Sequence, residues 1–264
     1  MNKGAITGCA LALGMGAASF SHAADDGELR LGVGLDYTRG KYGGSTETTT
    51  VAVPLTARYE TERWIFKGTL PILEVQGPAS FVPGIGNTDT SGKPKRRNFS
   101  GKKSQSGLGD STLSATYETY YDEDREQGVD LTGRVKLPTG DAAKGLGTGS
   151  TDFSAQVDAY RTFDRTTFFG DVGYTFFGHS DYVALKNALN YGIGASQKLN
   201  ERDSAGASLD GRGRVSVGGA PQRELTFFWN RKLERETRFQ AYVLFGLANG
   251  SPDFGFGGSV AQAF

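Results

Sequence analysis

The chain reads as all-β: an antiparallel transmembrane barrel of the outer-membrane type, with about twelve strands. Three observations lead there. Apolar and polar residues alternate at period 2 in segments of roughly ten residues, the length a tilted strand needs to cross a bilayer. The connections between segments alternate between short, charged turns and longer stretches rich in Gly, Ser and Asn. No run approaches ~18 apolar residues, which excludes helical spans but not barrel strands, since alternation averages out to polar. The stretch 128–141 carries the pattern most clearly. Val129, Leu131, Gly133, Val135 and Leu137 point one way, Asp130, Thr132, Arg134 and Lys136 the other. Pro138-Thr139-Gly140-Asp141 then ends the strand in a turn, because proline cannot donate to a ladder and glycine accepts unusual backbone angles.

The first 23 residues read as a secretory leader. Lys3 is the only charge before Asp25, residues 5–18 are small and mildly apolar, and Ser21-His22-Ala23 is a cleavage site. Ile6-Thr7-Gly8-Cys9 resembles a lipid-attachment box but leaves no room for an apolar region ahead of its cysteine. The expected barrel domain is therefore 24–264. Cleavage removes Cys9, the only cysteine, and with it any disulfide or thiolate metal site. It also removes one basic residue from a balance of 29 basic and 29 acidic, so no global charge points to nucleic acid. The 39 glycines, 17 Phe and 11 Tyr suit close strand packing and interfacial aromatic girdles.

In chain order, Leu29, Leu31, Val33, Leu35 and Tyr37 mark the first strand, and Val51, Val53, Leu55, Ala57 and Tyr59 the second. A turn at 60–63 leads to a third, from Trp64 to about Leu73, and then to a long loop, 77–105, with six basic residues between Lys93 and Lys103. The fourth strand, 107–121, places Leu113, Ala115, Tyr117 and Thr119 on one face. After a charged turn at 122–127 comes the strand described above, then a loop at 138–151. Phe153–Ala159, Phe168–Phe176, Leu189–Ala195, Ala205–Leu209, Leu225–Leu233, Phe239–Phe245 and Phe254–Phe264 carry seven more at the same period. Short turns at 60–63, 122–127, 162–165, 200–203 and 234–237 fit the periplasmic end; longer connections fit the outer face. An even count returns both termini to the periplasm, and the terminal Phe264 is the expected signal to the barrel-assembly machinery.

The polar face bears on function. Asp36, Arg58, Lys67, Asp130, Arg134, Lys136, Asp158, Asp171, Lys198, Asp210, Glu224 and Lys232 all fall on the face away from lipid. A lysine or arginine facing lipid at the midplane would cost about 2–4 kcal/mol, so these residues are expected to line the lumen. Twelve strands enclose more space than the eight that side chains can fill. A narrow or gated channel is expected, with a plug of ion pairs as the alternative.

Catalytic and metal signals are weak. His179-Ser180-Asp181 holds triad letters, but neighbours in sequence rarely converge as nucleophile, base and orienter. Asp122-Glu123-Asp124 reads as a solvated turn, and 145–149 lacks the Lys-Ser/Thr and helix of a phosphate loop. No cofactor, metal site or catalytic residue is assigned.

Two local motifs then matter together. Gly107-Leu108-Gly109-Asp110-Ser111-Thr112-Leu113 opens one strand and Val135-Lys136-Leu137-Pro138-Thr139-Gly140-Asp141 ends the next. Leu146-Gly147-Thr148-Gly149 and Asp152 follow. This order resembles the outer-membrane family named for the MetA pathway of phenol degradation, over residues 107–264, with a looser fit at Leu70-Pro71. The resemblance implies a barrel and passage of small, often aromatic or hydrophobic compounds, without catalytic residues. Its motif residues lie at strand ends and read as structural turns. The expectation is a passive outer-membrane channel for small organic solutes, with loop 77–105 as its gate. Outer-membrane lipid and lipopolysaccharide, the latter facing the 93–103 cluster, are the expected surroundings. The alternatives are a closed structural or adhesion barrel and a lipid hydrolase using His179.

Overall fold

A transmembrane segment finds no water for its backbone, so every N–H and C=O must be paired within the protein. The computed structural model, in which residues 27–264 except 99, 217 and 235 are described, meets this by closing one antiparallel ladder on itself. Its strands are β1 (Glu28–Gly40), β2 (Thr48–Glu60), β3 (Trp64–Pro78), β4 (Phe81–Val82), β5 (Gly86–Asn87), β6 (Lys102–Leu108), β7 (Ser111–Asp122) and β8 (Gln127–Leu137). β9 (Asp152–Phe163), β10 (Thr166–Phe176), β11 (Ala188–Lys198), β12 (Asp203–Arg212), β13 (Gln222–Lys232), β14 (Thr237–Gly246) and β15 (Phe254–Ala263) follow. From β7 to β15, and from β1 to β3, each strand pairs with its neighbour in sequence, and β15 returns to β1, from Arg30 opposite Ala263 to Arg39 opposite Phe254. β6 and β7 both pair with β3, end to end, and form one stave; β4 and β5 form a small separate hairpin. The wall thus has twelve staves. The leader 1–23, including its cleavage site, lies outside the described residues.

Period 2 decides which face is which. Leu35, Phe153, Phe168, Ile193, Phe227 and Phe256 are exposed although apolar, and the register sets such residues opposite one another, as at Tyr37–Phe256, Val157–Val172 and Phe227–Val243. This outward band belongs in hydrocarbon. The opposite parity carries the charges.

Two expectations change. The segment 77–105 is less loop than it reads: β3 runs on to Pro78 and β6 begins at Lys102, pairing Glu74 with Ser106 and Gln76 with Ser104. Above Ile72 the apolar residues of β3 turn inward, since Leu73 and Val75 are buried while Glu74 is exposed. The second change is Thr119. A bulge between Glu118 and Tyr120 shifts the register, so the outward stripe passes from Tyr117 to Tyr120.

The break between β6 and β7 is where the ladder is weakest, and the two motifs meet there. The Thr139 hydroxyl donates to Gly109 O (2.7 Å) and accepts from Ser111 N (2.8 Å). Asp110 accepts from Gly140 N at 3.1 Å and Thr148 N at 3.0 Å. Lys136 Nζ reaches in from β8 to Asp110 (2.7 Å), Asp152 (3.1 Å), Thr148 Oγ1 (2.6 Å) and Ser150 O (2.7 Å). One partly buried cation therefore ties the stave break, the 138–151 loop and the start of β9. A Cβ on Gly147 would run into the Asp110 carboxylate, so glycine is required there. Replacing Lys136 by Met leaves two buried carboxylates uncompensated and should cost about 3–5 kcal/mol. The urea midpoint of the refolded protein in detergent, followed by heat-modifiable migration, measures this; an unchanged midpoint would contradict the assignment.

Candidate functional site: the capped lumen

The barrel is not filled. A cavity of about 1060 Å³ runs inside it, lined at one end by Asn200, Glu201 and Arg202 of a short turn and at the other by Phe81, Pro83, Gly84 and Ile85. These last residues belong to the folded part of the 77–105 segment, which caps the long-loop end.

The cap is built as a small core of its own. Tyr42, Phe81 and Leu146 pack on Leu73 and Val75 of β3, and Val82, Ile85, Val183 and Val215 pack beside them. Polar contacts tack its margins to several neighbouring loops. Asn87 Nδ2 donates to Lys41 O (2.8 Å) and Tyr42 O (3.1 Å), and Ser216 Oγ donates to Asn87 O (3.3 Å). Arg212, buried at the end of β12, donates to Gly84 O at 2.9 Å and Ile85 O at 3.2 Å. Arg97 donates to Phe81 O (2.5 Å) and to Ala79 O. Burial pushes the Arg97 guanidinium down to about 10, so it stays charged at neutral pH and needs those carbonyls. Lys93 donates to Ser180 O at 2.8 Å and Lys95 pairs with Asp181 at 3.1 Å. Half of the basic cluster is thus structural; Arg96, Lys102 and Lys103 stay exposed.

Beneath the cap the lumen is apolar, lined by Tyr42, Leu73, Phe81, Ile85, Leu146 and Leu244. The rest of the lining is charged, and the register sorts the charge by sign. Glu118, Asp130, Asp158 and Asp171 stand opposite one another on β7 to β10. Gly192 of β11 follows, then Asp210 and Glu224 on β12 and β13. A Cβ at Gly192 would meet the carboxylates of Asp171 and Asp210, so the glycine lets the acidic row pass unbroken. The basic row runs Lys232–Arg238 on β13 and β14, then Arg30, Arg58 and Lys67 on β1 to β3, and through Ser114 to Arg134 on β8. Like charges directly opposite on a sheet are destabilising. Two such rows on one barrel give a field across the lumen.

All twelve residues singled out in the sequence lie on the inward parity. Asp36, Arg58, Lys67, Arg134, Lys136, Lys198, Glu224 and Lys232 border the cavity. Asp36 accepts from Tyr242 (2.5 Å), and Lys136 is committed to the ion-pair node. Asp158 accepts from Gln156 (2.5 Å) and Thr132 (3.1 Å), Asp210 accepts from Ser208 (2.7 Å), and both sit with Asp130 and Asp171 closer to the wall. Sequence reasoning left out Arg30, Glu118 and Arg238; their parity was the available signal.

His179 is highly exposed, with Nε2 3.8 Å from Asp181, while the Ser180 hydroxyl is buried and donates to Thr148 O (2.5 Å). It also accepts from Tyr182 N and Val183 N at 3.1 and 3.2 Å. Ser180 therefore holds the loop and does not face His179.

Asp130 is fully buried, and neither of its carboxylate oxygens has a hydrogen-bond partner. At alkaline pH, where the carboxyl is ionised, Asp130→Asn removes a charge that is both desolvated and beside like charges. It should raise stability to urea by about 1–3 kcal/mol; a loss of stability would show that the charge is compensated.

A family model described as "Putative MetA-pathway of phenol degradation" matches residues 32–244. No curated protein matches the chain. Among solved structures, the COG4313 outer membrane channel from Pseudomonas putida F1 is similar at 14% identity, with a TM-score of 0.70 over 92% of this chain and 97% of that one. The β domain of the Bordetella autotransporter BrkA (12% identity, TM-score 0.55, 90% of this chain and 100% of that one) is also similar. So is the KdgM porin, at 6% identity and a TM-score of 0.51 over 89% of this chain and 99% of that one. At these identities the likeness is one of fold. The family match runs from β1 into β14, and the chain belongs to that family.

Proposed function

We propose that this barrel is an outer-membrane channel for passive uptake of small organic solutes, with the 79–98 cap as its gate. The carrying observation is the cavity of about 1060 Å³ that extends from the short turns to the underside of the cap. A structural barrel of this width has no need of an unfilled interior, and buried space costs dispersion contacts. The apolar chamber suits an apolar body, and the phenol-degradation family and the likeness to an outer membrane channel support the same reading. The charged rows along the wall then set which solutes pass.

On this reading the leader is cleaved after Ala23, and the barrel-assembly machinery inserts the chain through the strand that ends at Phe264. Lipopolysaccharide phosphates meet Arg96, Lys102 and Lys103. The barrel is non-enzymatic: Ser180, the residue a hydrolase at this loop would need, is occupied as a loop anchor.

Single-channel recording of refolded 24–264 in a planar bilayer tests the channel. Discrete current steps, interrupted by phenol-sized solutes, are expected. Arg97→Gln with Arg212→Gln unpins the cap and should raise mean conductance and lengthen open dwells. A folded barrel that is silent in both forms would favour the structural reading.

A further inference from the structure

At the short-turn end the basic row closes on itself. Arg30 of β1 stands directly opposite Arg58 of β2, and Lys232 of β13 opposite Arg238 of β14. Between these pairs β15 contributes only small side chains, Ala263 opposite Arg30 and Ala261 opposite Arg238. Nothing large separates the two guanidinium groups. Arg238 lies within electrostatic reach of Arg30 and Arg58, and Lys232 of Arg238, Arg30 and Lys198. Arg30 and Arg58 bond two carboxylates, Glu28 and Glu60. Glu236 answers Lys232, and Glu28 and Glu60 also act on Arg238, so these carboxylates are shared among the cations.

Arg30 is 4% exposed and borders the lumen, yet its Nε and Nη1 have no hydrogen-bond partner. A buried guanidinium with free N–H groups is costly, and like charges opposite one another add to the cost. Both costs fall when an anion with two oxygens settles between the forks. A guanidinium matches such an anion in a planar, bidentate way.

We propose that Arg30, Arg238 and Lys232 form a binding station for the carboxylate of a small organic acid. This rests on the channel reading and deepens it: the solute is an acid whose apolar body suits the chamber under the cap and whose carboxylate is held at the short-turn mouth. The mouth then favours anions, and the acidic row, which starts near it at Glu118 and Asp130 and climbs to Glu224, keeps the carboxylate from lodging higher up.

Benzoate and benzyl alcohol, of similar size but different charge, are the probes, with inorganic phosphate as a third. Each is added at the short-turn side of the refolded barrel in a planar bilayer. Benzoate should interrupt the current at concentrations about tenfold below those of benzyl alcohol. Arg30→Gln with Arg238→Gln should erase that difference, whereas Lys102→Gln, on the exposed cap margin, should keep it. Equal potency of benzoate and benzyl alcohol, or a difference that survives the double variant, would overturn the station. Phosphate that matches benzoate would overturn its assignment to organic acids. Arg238→Gln alone, which leaves the Arg30–Glu28 pair intact, serves if the double variant does not fold. If the barrel passes no current, calorimetric titration of benzoate into the detergent-solubilised protein and the double variant decides on the station by itself. Binding lost in the variant then supports the station although the channel reading has failed; no binding overturns it.

Discussion

Everything in this structure follows from the requirement that a backbone in hydrocarbon satisfies its own hydrogen bonds. Twelve staves closing from β15 back to β1 pair the wall around its circumference, and among the described strands of the wall β6 alone is paired on one side, with β3. Closure at that number leaves an interior, and period 2 gives each strand one face for lipid and one for the interior. The one place where the ladder falters is the β6–β7 break at Gly109 and Asp110. There the Lys136 node, the Thr139 hydroxyl and the Asp110 carboxylate replace the missing regularity. The residues of the two local motifs thus mend the wall where it is interrupted.

The interior shows the opposite economy. Acidic groups are gathered along β7–β13 and basic groups along β13, β14, β1–β3 and β8, although mixing the signs would stabilise the fold more. Asp130 and Arg30 are buried with polar atoms unmet. Such costs collect where a protein handles something other than itself. The cap repeats the logic in miniature: an apolar core of loops, pinned at its edges by Arg97, Arg212 and Asn87 through a few hydrogen bonds. An assembly held by its margins can open without unfolding the wall.

Much of this was legible because a barrel strand writes its two environments into alternate letters. Leu29 to Tyr37 and Phe168 to Phe176 announce the lipid face, and the charges between such letters announce the lumen. The count of twelve survived because turns and loops alternate in length. What escaped the letters was anything set by a third neighbour. Leu73 and Val75 share the lumen parity of Lys67, yet they are apolar because the cap rests on them. Thr119 misreads because one extra residue in the bulge resets the parity. Lys136 reads as a free lumen charge, and only the fold brings Asp110 and Asp152 to it. The sorting of charge into two rows depends on register, which no single strand discloses.

The most direct test of an open interior beneath a cap is chemical access to its wall. Residues 24–264 contain no cysteine, so single cysteines at Thr69, Ser114 and Ser259 report on the lumen alone, with Val157 and Ile193 as outward controls. The refolded barrel in liposomes is exposed to a charged, membrane-impermeant thiosulfonate and the modified fraction is read by mass. Modification at all three lumen positions, with the lipid-facing pair protected, is the expected result. Lumen positions as unreactive as the outward pair would mean a solid interior, and the channel account would be wrong.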